Sequence, residues 1–169
     1  MPITPFHFGV GAALHAAAPA RVSFLAFCAA NVLIDLEPGY FMLAGEYPLH
    51  RFLHTPIGAT LAAAATCALF AGARRLAATR RWPDPFAWQR LRLPAVAAGA
   101  FLGAWSHVLL DAVMHADVRP LAPFSDANPL WHAMPVRGLH VACVAAGLAG
   151  IAAVAIRSRL RTSRGRQTP

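Results

Sequence analysis

The apolar residues of this chain come in long uncharged runs instead of the stripes of an amphipathic helix. Residues 56–73 carry no charge, residues 94–114 carry only His107 and Asp111, and residues 138–156 carry only His140. Runs of about 18 or more apolar residues read as bilayer-spanning helices. Two shorter apolar stretches, 6–18 and 22–34, lie upstream, separated by Pro19-Ala20-Arg21. At about 1.5 Å per residue each reaches roughly 20 Å, short of the ~30 Å hydrocarbon core, so each predicts a short span or one arm of a re-entrant hairpin. Pro38-Gly39 is expected to end the second of them. The pattern predicts an all-α polytopic transmembrane bundle of about five membrane helices, forming one membrane-embedded domain over residues 1–156. The tail, 157–169, is basic, has little to fold around and is expected to be a disordered cytoplasmic end attracted to anionic lipid.

Composition agrees: 57% hydrophobic and 13% charged residues lie outside the range of soluble domains. Met1-Pro-Ile-Thr-Pro-Phe-His has no positively charged n-region, so the first apolar stretch is expected to stay in the mature protein. Cys28, Cys67 and Cys143 each sit inside an apolar run without CxxC spacing and read as small apolar fillers. The net charge of +8 does not point to nucleic acid, because the Arg residues cluster in the 74–92 connection and in the tail. Cytoplasmic segments carry the excess of positive charge. Alternating the five helices from those two segments puts twelve Arg inside and three (Arg51, Arg119, Arg137) outside. The expectation is an inner-membrane protein with its N-terminus out and its C-terminus cytoplasmic.

On that topology most of the His and acidic residues fall at the outer face. An ionisable group inside a bilayer is costly enough to be a functional hypothesis by default. His107, Asp111 and His115 follow at i, i+4 and i+8 and share a helix face, with His115 near the end of the span. Imidazole and carboxylate are the usual ligands of zinc and other divalent first-row metals, although a His–Asp hydrogen bond stitching two helices is the simpler account. His50 and His54 are also four apart, without the Glu of HExxH. Thr55-Pro56 reads as an N-cap and first helical residue, which would leave both histidines in a loop or short turn. Asp35 is a candidate ligand and Glu37 either a support for a ligand or a general base; solvated acids at a membrane boundary are the plainer alternative. Arg51 suits an anionic oxygen beside a metal, or pairs with a nearby acid. His7 opens the first apolar stretch. The 117–136 segment, rich in Pro and aromatics, is a lid or an interfacial loop. His15, Asp126, His132 and His140 read as structural.

With these residues in place the chain resembles the YdjM-like family of membrane-bound, metal-dependent hydrolases of the inner membrane. The resemblance covers most of the chain. Its carriers are Thr4-Pro5-Phe6-His7 before a Gly-containing apolar helix, Asp35, His50-Arg51 with His54-Thr55, His107-x3-Asp111, and Pro123-Phe124-Ser125. Two departures are Asp35-Leu36-Glu37 in place of an Asp-x-Asp pair and His54-Thr55-Pro56 in place of His-Ser. The family is similar to zinc-dependent phospholipase C and P1-type nucleases, which implies hydrolysis of a phosphodiester or phospholipid-like substrate. The expected ligands of a divalent metal, zinc first and manganese as the alternative, are His7, Asp35, His54, His107 and Asp111, with His50 in addition. Glu37 or Asp111 would accept the proton of a metal-bound water, and Arg51 would hold the anionic group. The competing expectation is a non-enzymatic membrane protein, for metal or proton transport or with a structural role. The expected partners are the lipid bilayer and its lipids.

Overall fold

The computed structural model describes residues 4–80 and 82–165, and among these no strand occurs. A single 3-10 turn, Thr4–Phe6, leads into five helices: α1 (His7–Ala17), α2 (Phe24–Ala44), α3 (Pro56–Arg80), α4 (Leu93–Met114) and α5 (Val136–Gly165). Helices α2 to α5 are long and apolar enough to cross a membrane. The 22 residues of α4 extend about 33 Å at ~1.5 Å per residue, enough for the ~30 Å core. Large apolar side chains, among them Leu36, Leu61, Leu69, Val141 and Leu148, face outward, while the buried centre is built largely from Ala. Apolar outside and small residues inside is the arrangement of helices packed within lipid, and the chain is a helical membrane protein.

The short stretches at the N-terminus resolve differently from one another. α1 has 11 residues and covers only part of the bilayer, whereas α2 continues through Pro38-Gly39 to Ala44. Pro38 is tolerated in the helix interior, as is common where neighbouring helices support the backbone. Helix α2 ends where Gly45, at φ 69°, supplies the left-handed cap and returns its N–H to the Met42 carbonyl. Asp35 and Glu37 therefore lie within the helix and not at its end. Thr55 caps α3 as its sequence indicates: its Oγ accepts from the Gly58 N–H at 3.1 Å, and Pro56 is the first helical residue. The last helix also outruns expectation, since residues 157–165 continue α5 instead of forming a disordered tail. Arg157 assists by donating to the Ala16 carbonyl near the end of α1, which satisfies an end-of-helix acceptor.

Packing is organised around α4, which contacts α2 and α3 along its length, while α1 pairs with α5. Two stripes with a four-residue period run up α4. Val96, Ala100, Ala104, Val108 and Ala112 belong to the apolar core. Gly99, Gly103, His107 and Asp111 form the second stripe, and on α2 the residues Ser23, Phe27, Asn31 and Asp35 answer it. A Cβ at Gly99 would lie 2.2 Å from the Ser23 carbonyl oxygen, and one at Gly103 would lie 2.5 Å from that of Phe27. Two glycines thus let the backbones of α2 and α4 touch, and the next rungs of the same ladder are polar.

Overpacking a close contact costs on the order of 1–3 kcal/mol. Gly99→Val is therefore expected to lower the thermal unfolding midpoint of the detergent-purified protein, whereas Gly72→Val, where a Cβ meets nothing within 4 Å, is expected to leave it close to wild type.

Candidate metal centre

The polar rungs of the α2–α4 ladder open onto a buried cluster. Asn31 donates from Nδ2 to the Phe27 carbonyl at 2.8 Å, which turns its Oδ1 toward His107 Nδ1 at 2.9 Å. His107 Nδ1 must then carry the proton, and the lone pair of Nε2 points the other way. There it meets Asp35 Oδ1 at 3.1 Å and Asp111 Oδ2 at 3.3 Å. His54 arrives from the residue before the α3 cap. Glu37 Oε2 lies 3.3 Å from its Nδ1, and its Nε2 faces Asp111 Oδ2 at 3.5 Å. The ligand atoms of Asp35, His54, His107 and Asp111 all lie within 4.8 Å of one another.

These groups are removed from water. His54 and His107 are fully buried and Asp111 is 3% exposed, while Asp35 keeps part of its carboxylate open. Among the described residues, Nε2 of His54, Nε2 of His107 and Oδ1 of Asp111 are buried without a hydrogen-bond partner. A charged side chain within a bilayer costs roughly 2.5–3.5 kcal/mol on insertion scales, and leaving polar atoms unpaired adds to that. Electron-rich atoms turned toward one another in such a place call for a cation among them. His54 reports the same demand. Burial lowers its proton affinity, but Asp111 and Glu37 at its two nitrogens outweigh burial and raise its pKa. The cluster has the donor types, the convergence and the uncompensated negative charge to hold a metal ion.

A second group adjoins the first. His50, Asp111 and His115 also bring one ligand atom each within 4.8 Å of the others. His50 Nδ1 is 2.9 Å from Asp117 Oδ1, and Asp117 Oδ2 accepts from the backbone N–H of Leu49 and His50. Burial works to raise the Asp117 carboxyl, but these bonds prevail and hold it below its ordinary value. Burial pushes both His50 and His115 down, which favours the neutral imidazole that binds metals.

A cavity of about 660 Å³ opens beside the cluster. Its lining combines Asp35, His50, Asp111 and His115 with Pro38, Met42, Tyr47, Met114 and Trp131. The 117–136 segment contributes Trp131 and His132 to this wall, tied to α4 by Asn128, whose side-chain amide donates to the Ala112 and His115 carbonyls at 2.9 Å.

Asp35, His50, His54, His107 and Asp111, drawn from the sequence as ligands, come together here. His7 joins at the edge: it is buried, its Nε2 faces Asp111 Oδ1 at 3.3 Å and its Nδ1 lies 3.0 Å from His107 Nδ1, outside both converging groups. For two residues the structure matches one of the alternatives that the sequence left open. Glu37 supports a ligand instead of facing the cavity, since its oxygens accept from the backbone N–H groups of Arg51 and Leu53 as well as lying against His54. Arg51 turns away from the cluster: it pairs with Glu46 at 2.8 Å, donates to the Pro48 carbonyl and lies over the Phe41 ring. Asn31 and Asp117 were not picked out as contributors, and His115, marked on the His107–Asp111 face, joins the second group with His50 and Asp111. The available signal for Asn31 was a lone amide one turn before Asp35.

Residues that orient a metal-binding His typically contribute about 10- to 100-fold in affinity. Asn31→Leu, which removes the acceptor for His107 Nδ1, is expected to weaken divalent-metal retention by about that factor, measured by competition with a chelator of known affinity. Neither a family model, nor a curated protein, nor a solved structure matches the chain.

Proposed function

We propose that this protein is a membrane-embedded, metal-dependent hydrolase acting on a phosphodiester or phospholipid-like substrate at the outer face of an inner membrane. The observation that carries the reading is the convergence of Asp35, His54, His107 and Asp111 beside a cavity that Asp35 and Asp111 line together with apolar side chains. Asp35, His54, His107 and Asp111 would hold the metal, with zinc favoured by the His-rich donor set. A divalent metal held there supplies Lewis acidity and lowers the pKa of a bound water.

The remaining functions belong to the chain itself. Asn31 and Glu37 orient the two buried imidazoles. Asp35 and Asp111 line the cavity, so proton acceptance falls to them and not to Glu37, whose oxygens are committed to the 51–54 backbone and His54. Met42, Tyr47 and Trp131 offer apolar surface for the rest of an amphiphilic substrate. The resemblance to YdjM-like hydrolases points the same way.

Transport fits less well. Toward the other end of the bundle the buried Ser23 and Thr66 and the half-buried His15 are each engaged with backbone: Ser23 accepts from the Ala26 N–H, Thr66 donates to the Ala62 carbonyl and His15 Nδ1 donates to the Val22 carbonyl. A one-sided site beneath the outer surface follows more readily than a pathway.

Elemental mass spectrometry of the detergent-purified protein is expected to find divalent metal in wild type and to find it lost in His107→Ala, together with hydrolysis of phospholipid vesicles or a chromogenic phosphodiester. Wild-type protein without metal would sink the reading. For orientation, the Arg-rich end of the bundle lies opposite the cluster, because α3 and α5 end there and α4 begins there. A reporter fused after residue 169 is expected to score as cytoplasmic, and an extracytoplasmic score would reverse the topology.

A further inference from the structure

The 117–136 segment brings to the cavity an imidazole that neither converging group uses. His132 lines the cavity together with Asp35 and Asp111 and is exposed to solvent. We propose that His132 is a catalytic residue, the proton donor to the alcohol oxygen that leaves the phosphodiester. This rests on the hydrolase reading and deepens it.

Three observations carry the assignment. First, the backbone fixes His132 in place. Its N–H donates to the Val113 carbonyl at 3.1 Å, and the N–H of Ala133 donates to the Leu130 carbonyl at 2.9 Å. Asn128, which ties this turn to the end of α4, also accepts from the Leu130 N–H at 3.2 Å. His132 stands at φ 60°, in the left-handed region that a residue with a side chain seldom occupies. Such a conformation persists only where the surrounding structure enforces it, and here the enforced turn sets Trp131 and His132 on the cavity wall. Trp131 lies against the imidazole, with ring centroids 4.5 Å apart and 38° between the planes.

Second, the neighbouring groups are committed elsewhere. Asp117 accepts from His50 Nδ1 and from two backbone N–H groups, Nε2 of His50 faces Asp111, and His115 converges with both. Asp35 and Asp111 are placed to accept a proton from water, and a carboxylate cannot accept and donate in the same step. The Tyr47 hydroxyl also lines the cavity, but imidazole is the side chain suited to giving and regaining a proton near neutral pH. Third, among the described residues no Arg or Lys lines the cavity, and Arg51 is turned to Glu46. Charge developing on a departing oxygen therefore finds no guanidinium or ammonium there, and a transferred proton removes it.

The step balances with water as the co-reactant. The water oxygen bonds to phosphorus while its proton passes to Asp35 or Asp111. The ester P–O bond breaks, its electron pair stays on the alcohol oxygen, and that oxygen takes the proton of His132. The ring regains a proton from solvent and the carboxylate returns one, so the products are a phosphomonoester and an alcohol. An aliphatic alcohol needs that proton to depart, whereas a nitrophenolate leaves readily without it. The substrate class is accordingly a phosphate ester of an aliphatic alcohol.

The test compares full-length wild type, His132→Gln and His132→Ala in detergent. The probes are methyl aryl phosphates, from the 4-nitrophenyl to the phenyl ester, and phosphatidylglycerol vesicles. Metal content by elemental mass spectrometry is expected to match wild type in both variants. Their kcat is expected to fall about 100-fold on the phenyl ester and the vesicles, and less than about ten-fold on the 4-nitrophenyl ester, so that rate depends more steeply on leaving-group basicity. Added imidazole is expected to restore part of the phenyl-ester rate in His132→Ala and to leave wild type unchanged. Rates that match wild type, an equal loss on every ester, or metal lost from both variants would overturn the assignment to His132 and leave the hydrolase standing. Wild type inactive on every probe would overturn both readings together.

Discussion

The close approach of α2 and α4 is the constraint on which the rest of the structure depends. Gly99 and Gly103 remove the side chains that would hold the two backbones apart, and helices in lipid, lacking a hydrophobic drive between them, rely on such contact. Because the helices run parallel and both stripes repeat every four residues, the register set by the glycines carries upward without slipping. Asn31 and Asp35 are thereby delivered to His107, and Asp111 follows one turn later. The polar cluster is the continuation of a packing interface.

That placement has an electrostatic consequence. Carboxylates and imidazoles cost most where water is scarce, and here Asp111 and the His54 and His107 rings are almost wholly withdrawn from it. The fold supplies some compensation through the amide of Asn31 and the carboxylates of Glu37 and Asp117, which fix ring orientations. What it leaves unmet is the set of nitrogen and oxygen atoms turned inward toward Asp111. A site arranged with its outer bonds satisfied and its inner atoms unpaired is organised to receive a cation.

The loop between α2 and α3 shows how a connection takes on this function. Glu37 binds the backbone of Arg51 and Leu53, and Asp117 binds that of Leu49 and His50, so the connection is clamped from within α2 and from the segment that follows α4. His50 and His54 are positioned by those clamps and by the Thr55 cap. Arg51, between them, is directed outward to Glu46. Of the alternatives open for Glu37 and Arg51, the structure matches support of His54 and the backbone for the first and pairing with an exposed acid for the second.

The sequence by itself determined the helical membrane character, the long spans, the Thr55-Pro56 start of α3 and most of the residues that meet in the buried His/Asp cluster, because uninterrupted apolar length and charge inside it are local properties. It misplaced the ends of α2 and α5: a Pro or a run of Arg is read as a stop unless neighbouring helices are known to support the backbone. Asn31 and Asp117 gained their roles, and the alternatives open for Glu37 and Arg51 were separated, only in three dimensions. Which way a side chain turns depends on what the adjoining helix places beside it, and the tertiary register of α2 against α4, set by two glycines, decided that.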